Sequence, residues 1–123
     1  MKRKIKISEA EWEVMRIVWN RSPLSAQEIT EKLSQKRPRH PKTIRTLINR
    51  LVKKGALGHK KMGKAFLFLP LMDESKCAME ESISFLDRVF GGSLHPMIAQ
   101  FIEHQKLSAE EIQELQKILR EKK

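Results

Sequence analysis

Cysteine and long apolar runs are scarce in this chain of 123 residues. Cys77 is the only cysteine, so no disulfide can form within the chain, which suits a reducing compartment. No stretch approaches the roughly 20 apolar residues that a membrane-spanning helix needs. The basic start MKRKIKIS is not followed by an apolar segment, so we do not expect a signal peptide. These features predict a cytoplasmic protein.

Sequence signatures of catalysis and metal binding are missing as well. There is no glycine-rich phosphate loop, no nucleophile elbow and no pair of catalytic carboxylates, so we expect a protein that is not an enzyme. The four histidines lie in separate predicted elements and lack the spacing of metal ligands. They are His40, His59, His95 and His104. We therefore expect neither a metal nor a cofactor.

Negative charge is scarce in the first part of the chain. Residues 1–70 carry 18 basic and 5 acidic side chains, a net charge of +13, whereas residues 71–123 carry 7 and 10, a net charge of −3. A requirement for solubility alone would not separate the charges in this way. The separation predicts a module that binds a polyanion, joined to a second module with a different role.

The segment that says most about function is residues 41–51, read PKTIRTLINRL. Its apolar residues recur at i, i+3, i+4 and i+7, the spacing of one buried helix face: Ile44, Leu47, Ile48 and Leu51. The other face has no carboxylate and offers cations for phosphate and polar groups for base edges in a major groove. These residues are Lys42, Thr43, Arg45, Thr46, Asn49, Arg50 and Lys53. A DNA recognition helix has this pattern, but an ordinary solvated basic face shares it.

The signals around this helix predict a winged helix-turn-helix. Serine-x-x-glutamate capping boxes begin helices at Ser8, Ser25 and Ser108, with Glu11, Glu28 and Glu111 as partners. Gly55 is placed to end the third helix, and two short strands, 58–62 and 65–69, flank a turn at residues 63–64. We predict a mainly α protein with a winged-helix DNA-binding domain and a small β-hairpin wing in residues 1–71.

Residues 72–123 are predicted to form a three-helix dimerisation module. Each of the three helices carries an apolar stripe, and a unit this small buries too little surface to be stable alone. The stripes comprise Met79, Ile83, Leu86, Phe90, Ile98, Phe101, Ile112, Leu115 and Leu119. Two copies packed together would bury them. The alternative is that this module folds back on the N-terminal domain.

Several segments resemble the penicillinase-repressor family, BlaI/MecI, of bacterial transcription regulators. They are AEWEVMRIVW (10–19), SAQEI (25–29), KTIRTLINRLVKKG (42–55) and FLDRVFGG (85–92), and their order and spacing match nearly from end to end. The resemblance implies a homodimeric repressor in which each subunit places a winged helix on one half of a palindromic double-stranded DNA operator. It also implies control of antibiotic (β-lactam) resistance genes, with a membrane-bound sensor metalloprotease as partner and proteolytic cleavage as the inducing step.

The resemblance assigns roles residue by residue. Recognition-helix contacts fall on Lys42, Thr43, Arg45 and Thr46, and phosphate contacts of the wing fall on Lys60, Lys61 and Lys64. The scissile bond aligns with Gln100–Phe101, where this chain has glutamine in place of the family's asparagine. His40 and Pro41 stand where relatives tend to carry a short capping residue. The paired C-x-C motifs of the related copper-responsive repressors are missing, so the resemblance does not imply copper sensing.

Two positions on the predicted DNA-facing surface, Asn49 and Ser25, each keep two interpretations. Arg45 is the first choice for direct readout, because a bidentate arginine–guanine contact is the commonest specific pairing. Asn49 and Arg50 share its face, and Asn49 is either a base contact or a phosphate or solvent group. Ser25 begins the second helix, whose first amides suit a phosphate, and it also suits a plain N-cap role.

A second function from a different class stays open. A nucleic-acid-binding adaptor or interaction protein would use the basic front on RNA or anionic surfaces and the acidic rear on a partner, because a fold does not determine a function. A salt-dependent and sequence-selective shift of one promoter fragment would favour the repressor.

Overall fold

Six helices and three short strands follow one another along residues 5–122, the part of the chain that the computed structural model describes. Their bounds are α1 Glu9–Asn20, β1 Leu24–Ser25, α2 Ala26–Lys36, α3 Pro41–Lys54, β2 Leu57–Met62, β3 Ala65–Pro70, α4 Glu74–Phe90, α5 His95–Glu103 and α6 Ala109–Glu121. The chain divides into two compact units, the first ending at Cys77 and the second beginning at Ala78. The mainly α fold with a small antiparallel sheet is the one predicted.

The helix ends lie where the capping signals predicted them. In α1 the Ser8 hydroxyl accepts a hydrogen bond from the Glu11 amide at 3.2 Å, and the Glu11 carboxylate accepts from the Ser8 amide at 2.8 Å. The same reciprocal pair begins α2 and α6, so all three capping boxes are confirmed. Gly55 ends α3 with a φ of +85°, a left-handed conformation that only glycine adopts without strain.

The core of the first unit lies between α1, α2 and α3. All four apolar residues of the predicted α3 face, Ile44, Leu47, Ile48 and Leu51, are buried. They join a single apolar cluster whose members from the other two helices are Val14, Met15, Val18, Ile29 and Leu33. Burying aliphatic side chains of this size stabilises the fold by about 1.5–3 kcal/mol each. The packing therefore fixes the rotation of α3 about its axis and leaves its polar face in solvent.

A three-stranded antiparallel sheet closes the first unit, in the order β1-β3-β2. The predicted hairpin of β2 and β3 is present, with Lys61 opposite Phe66 and His59 opposite Phe68. The short strand β1, which the sequence did not predict, pairs Leu24 with Phe68 and attaches the hairpin to the start of α2. The hairpin is thereby held beside the helices as a wing.

The second unit has little interior of its own. No residue from 78 to 122 is buried in the single chain. Large apolar side chains of α4, α5 and α6 remain exposed, among them Met79, Ile83, Phe101 and Leu119. Over residues 5–122 no helix combines the length and apolar character needed to cross a membrane.

A buried ion pair joins the first turn of α1 to the last turn of α3. The Glu11 side chain is only 1% exposed and accepts hydrogen bonds from the Lys54 ammonium group and the Ser8 amide. Lys54 also donates to the Lys6 carbonyl at 2.7 Å. Burial acts to raise the pKa of Glu11, but the hydrogen bonds from Lys54 and Ser8 outweigh it and hold the pKa below the ordinary value of 4.5.

This pair predicts acid sensitivity of the first unit. Because the pKa of Glu11 is lower in the folded than in the unfolded chain, its stabilisation is complete above pH 4.5 and is lost as the pH falls through the lower native pKa. Glu11→Gln should cost about 1–3 kcal/mol at neutral pH and should flatten the decline of unfolding free energy below pH 4.5. Urea unfolding followed by the fluorescence of Trp12 and Trp19 measures both effects. An undiminished pH dependence in the variant would contradict the assignment.

Candidate nucleic-acid interface

The solvent face of α3 presents the six side chains proposed for DNA contact, and Lys53, the seventh residue predicted on this face, is exposed as well. Lys42, Thr43, Arg45, Thr46, Asn49 and Arg50 are exposed. The helix begins at Pro41, and the Nδ1 atom of His40 accepts a hydrogen bond from the Lys42 amide at 3.1 Å. A histidine ring thus supplies the capping acceptor that a serine or aspartate more often supplies. The cap fixes the first turn, which carries Lys42 and Thr43.

The hydrogen-bonding capacity of this face is largely uncommitted. Within residues 5–122 the ion pairs involve Arg37, Arg39 and Lys54, and none involves Arg45 or Arg50. Thr46 is the exception, since its hydroxyl donates to the Lys42 carbonyl at 3.0 Å and keeps only its lone pairs for an outside donor. Arg45 and Asn49 therefore have the free donors that base-edge recognition requires.

A cleft of about 490 Å³ separates α3 from the wing. Arg45 and Asn49 of α3 line it together with Ser25 and Gln27 at the start of α2 and Phe66 of β3. Three of the predicted site residues, two from α3 and one at the N-cap of α2, thus meet in one depression. The cation of Arg45 on one wall and the aromatic carbon of Phe66 and Phe68 on another suit a phosphate–sugar backbone that crosses this depression.

The wing carries its lysines on different faces. Successive side chains of a strand alternate, so Lys61 lies on the face of its cross-strand partner Phe66, and Lys60 lies on the opposite face with Leu67. Lys64 follows Gly63 in the turn, and all three lysines are exposed. The His59 ring lies 5.5 Å from that of Phe66 and 6.3 Å from that of Phe68, centroid to centroid. His59 therefore stacks on Phe68 and packs at a tilt against Phe66 on the face that carries Lys61.

Ser25 has a defined structural task at the start of α2. Its hydroxyl accepts from the Glu28 amide at 3.1 Å, and its own amide donates to the Glu28 carboxylate at 2.9 Å. The latter hydrogen bond is the main reason that the pKa of Glu28 lies below its ordinary value. The N-cap interpretation is confirmed. The hydroxyl proton of Ser25 is still available to a phosphate oxygen.

One charged cluster at the edge of this surface escaped the sequence analysis. Glu13 of α1 binds two arginines of the α2–α3 connection, Arg37 at 3.0 Å and Arg39 at 2.7 and 2.9 Å. The hydrogen bond from Arg39, assisted by Arg37, holds the pKa of Glu13 below its ordinary value. The two arginines lie 24 and 26 residues from Glu13 along the chain. Positions so far apart are not related by the repeat of a helix or a strand, so a sequence pattern does not reveal the contact. The one available signal was the concentration of cations in the connection KRPRHP.

The predicted dimerisation residues form broken apolar stripes in the second unit. Four of the nine are largely exposed in the single chain, namely Met79, Ile83, Phe101 and Leu119 with exposed fractions of 61, 48, 42 and 71%. The other five, Leu86, Phe90, Ile98, Ile112 and Leu115, are half-buried. The stripes are therefore present on all three helices and are only partly covered by the chain itself.

The predicted scissile bond lies inside α5. Gln100 and Phe101 are exposed, and the Gln100 carbonyl accepts from the His104 amide at 2.9 Å. The Phe101 carbonyl accepts from the Lys106 amide at 2.7 Å. A protease takes its substrate in an extended conformation, so cleavage here requires the end of α5 to unwind.

Across residues 5–122 no three histidine, cysteine, aspartate or glutamate side chains form a group that could hold a metal ion.

Comparison with known proteins gives one consistent result. The family model for penicillinase repressors matches residues 7–121. The chain is 45% identical to a penicillinase repressor of Bacillus licheniformis over all of its own length and 96% of the relative's. It is 43% identical to the methicillin resistance regulatory protein MecI of Mammaliicoccus sciuri, over 94% of each chain.

A solved structure is similar to part of the chain. It is the solution structure of the monomeric form of Bacillus licheniformis BlaI in complex with the blaP half-operator, with 45% identity and a TM-score of 0.53. The match covers 61% of the present chain and 92% of that one. The solution structure of the DNA binding domain of the repressor BlaI is similar as well, with 45% identity, a TM-score of 0.55 and the same coverage of 61% and 92%.

Proposed function

Because the chain belongs to the penicillinase repressor family, we propose that it is a transcriptional repressor that binds an operator in double-stranded DNA. Residues 1–71 serve as the winged-helix DNA-binding domain and residues 72–123 as the helical dimerisation domain. The BlaI structure with a half-operator supports the choice of DNA over other polyanions. The relatives named for penicillinase repression and methicillin resistance support control of β-lactam resistance genes.

The observation that carries this proposal is the acid-free, exposed face of α3. Arg45 and Asn49 keep free donors there, and a major groove admits a helix of this width. Arg45 makes the direct base contact, bidentate to a guanine, while Lys42 and Arg50 neutralise phosphates on either side. Thr43 and Thr46 complete the contacts of the same face, and Asn49 reads a base or binds a phosphate.

The wing and the start of α2 position the protein on the DNA backbone. Lys60, Lys61 and Lys64 are exposed cations on the hairpin, and Ser25 offers a hydroxyl at the far wall of the cleft. Contacts of this kind set the register of a protein on duplex DNA and make its affinity dependent on salt.

A second copy of the chain is the partner of the second unit. The unburied stripes of α4, α5 and α6 need an apolar surface to cover them, and an identical chain supplies the same stripes by two-fold symmetry. A two-fold dimer also matches a palindromic operator, with one winged helix on each half. Binding of the second half then profits from the high effective concentration created by the first.

Induction acts through the second unit in this proposal. A membrane-bound sensor metalloprotease is the partner, and cleavage at Gln100–Phe101 separates α6 from α4 and weakens the dimer. The exposure of both residues supports access for a protease once the end of α5 has unwound. Repression is then relieved without any change to the DNA-binding face.

Arg45→Ala tests the function directly. The wild-type protein should select one duplex from a random library, and the variant should bind that duplex about 1–3 kcal/mol more weakly and lose preference at one base pair per half-site. Arg120→Ala removes the same charge from α6 and is the control. Fluorescence anisotropy on selected and random duplexes gives both affinities. Equal weakening on the two duplexes would show that Arg45 is not a base contact, and a wild type without sequence preference would refute the repressor.

Ile83→Asp tests the dimer. Ile83 is half exposed in the single chain, so the substitution should leave the protomer folded and place an unpaired charge in the dimer contact. We expect monomers in analytical ultracentrifugation and binding to a full operator that is no tighter than binding to two separated half-sites. Gln113→Asp introduces the same charge on α6 away from its apolar stripe and should remain dimeric. An unchanged sedimentation mass for Ile83→Asp would contradict this placement.

Mass spectrometry of the repressor from cells exposed to a β-lactam tests the cleavage. We expect two fragments separated between Gln100 and Phe101, together with release of the promoter. Gln100→Glu is compatible with the helix at this exposed position and places a charge beside the bond, so it should hinder productive binding by the protease and keep the promoter repressed. An intact chain during full derepression would end this part of the proposal, as would a cut at another bond.

A further inference from the structure

Glu13 divides its carboxylate unequally between two arginines. Arg39 makes two contacts, at 2.7 and 2.9 Å, and its side chain is only 15% exposed. Arg37 makes one contact at 3.0 Å and its side chain is 68% exposed. One guanidinium nitrogen of Arg39 donates to both carboxylate oxygens in a shielded pair, whereas the single exposed contact of Arg37 is screened by solvent and easily exchanged. Arg39 is therefore fixed in place, and Arg37 is held only loosely.

This cluster borders the recognition surface. Arg37, Arg39 and Glu13 line a cleft of about 790 Å³ whose other wall includes His40 and Thr43 at the start of α3. Thr43 belongs to the face that we propose to enter the major groove. A DNA backbone next to the first turn of α3 would thus pass within the reach of a long, exposed arginine from the preceding connection.

We propose that Arg37 is a further DNA-phosphate contact, and that the Glu13 carboxylate competes with the phosphate for it. The inference rests on the proposed function, since it requires the first turn of α3 to lie against DNA. Carboxylate and phosphate present similar pairs of oxygens to a guanidinium group, so the exchange needs no rearrangement of the backbone. Arg39 keeps Glu13 in place while Arg37 leaves it.

Competition of this kind lowers the affinity for every DNA sequence. A phosphate contact carries no sequence information, so its cost falls equally on the operator and on random duplex. Glu13 thereby weakens binding to the operator and to other DNA by the same factor. If Glu13 had a purely structural role, removing its charge would weaken DNA binding. The connection before α3 would then be released, and the recognition helix would be misplaced.

The experiment compares two glutamates of α1. Glu13→Gln removes the competing charge, whereas Glu9→Gln removes an equal charge from the same cleft at a residue without an ion pair in residues 5–122. Anisotropy titrations on random and selected duplexes from 50 to 200 mM salt give the salt slopes. Relative to Glu9→Gln, Glu13→Gln should bind both duplexes more tightly and steepen the slope by about one. The ratio of the affinity at 50 mM salt to the affinity at 200 mM salt should then be about 3.5 times larger for Glu13→Gln than for Glu9→Gln, which is the effect of one added phosphate contact.

A double variant tests whether the gain in DNA affinity depends on Arg37. Adding Arg37→Gln to Glu13→Gln should abolish both the tighter binding and the steeper slope. A gain that persists in the double variant overturns the proposal, as do equal effects of the two glutamate substitutions or weaker binding by Glu13→Gln. These outcomes leave the proposed function untouched as long as the wild type prefers its selected duplex.

Glu13→Asp keeps the test open if circular dichroism shows that Glu13→Gln is unfolded. The aspartate retains the charge but is one methylene shorter, so it cannot reach both arginines at hydrogen-bond distance. We expect the same tighter binding with the same dependence on Arg37. Binding equal to or weaker than wild type would overturn the proposal.

Discussion

The rotation of α3 about its own axis is the constraint on which the rest of this protein depends. Four aliphatic side chains are buried on one face, and together they favour this rotation by several kcal/mol. Rotating α3 by half a turn would expose these side chains and would bury Arg45 and Arg50 without an ion-pair partner. Burying unpaired charges would destabilise the fold further. The polar face is therefore presented to solvent in one orientation. Recognition of a base sequence requires side chains that are held this firmly.

The distribution of carboxylates around this face has a physical logic. Glu11 and Glu13 of α1 bind the cations at its borders, Lys54 at the end of α3 and Arg37 and Arg39 before its start. The cations in the middle have no internal counter-ion among residues 5–122, and they repel one another in the free protein. A polyanion relieves this repulsion, so the charge pattern that destabilises the free protein favours its complex. The acids at the borders both brace the fold and limit the basic surface.

Local signals in the sequence were sufficient for most of the fold. Two kinds of signal act within a single helix: the capping boxes at Ser8, Ser25 and Ser108, and the helical spacing of the apolar residues of α3. Both were confirmed, because they depend on neighbouring residues and few distant contacts act against them. β1 was missed because two residues carry no period, and it exists through pairing with β3, more than 40 positions away. The Glu13 cluster was missed for the same reason. Long-range polar contacts depend on the folded shape and leave no repeating pattern.

The second unit shows where sequence patterns reach their limit. Its apolar stripes could be recognised from the helical spacing of their residues. That spacing identifies the apolar face of a helix but not the surface that covers this face. With a second copy as the cover, the stability of α4–α6 depends on the concentration of the protein. DNA affinity then depends on that same association, since only a dimer engages both halves of an operator. An event in α5, far from α3 along the chain, can therefore regulate DNA binding by changing the dimer alone.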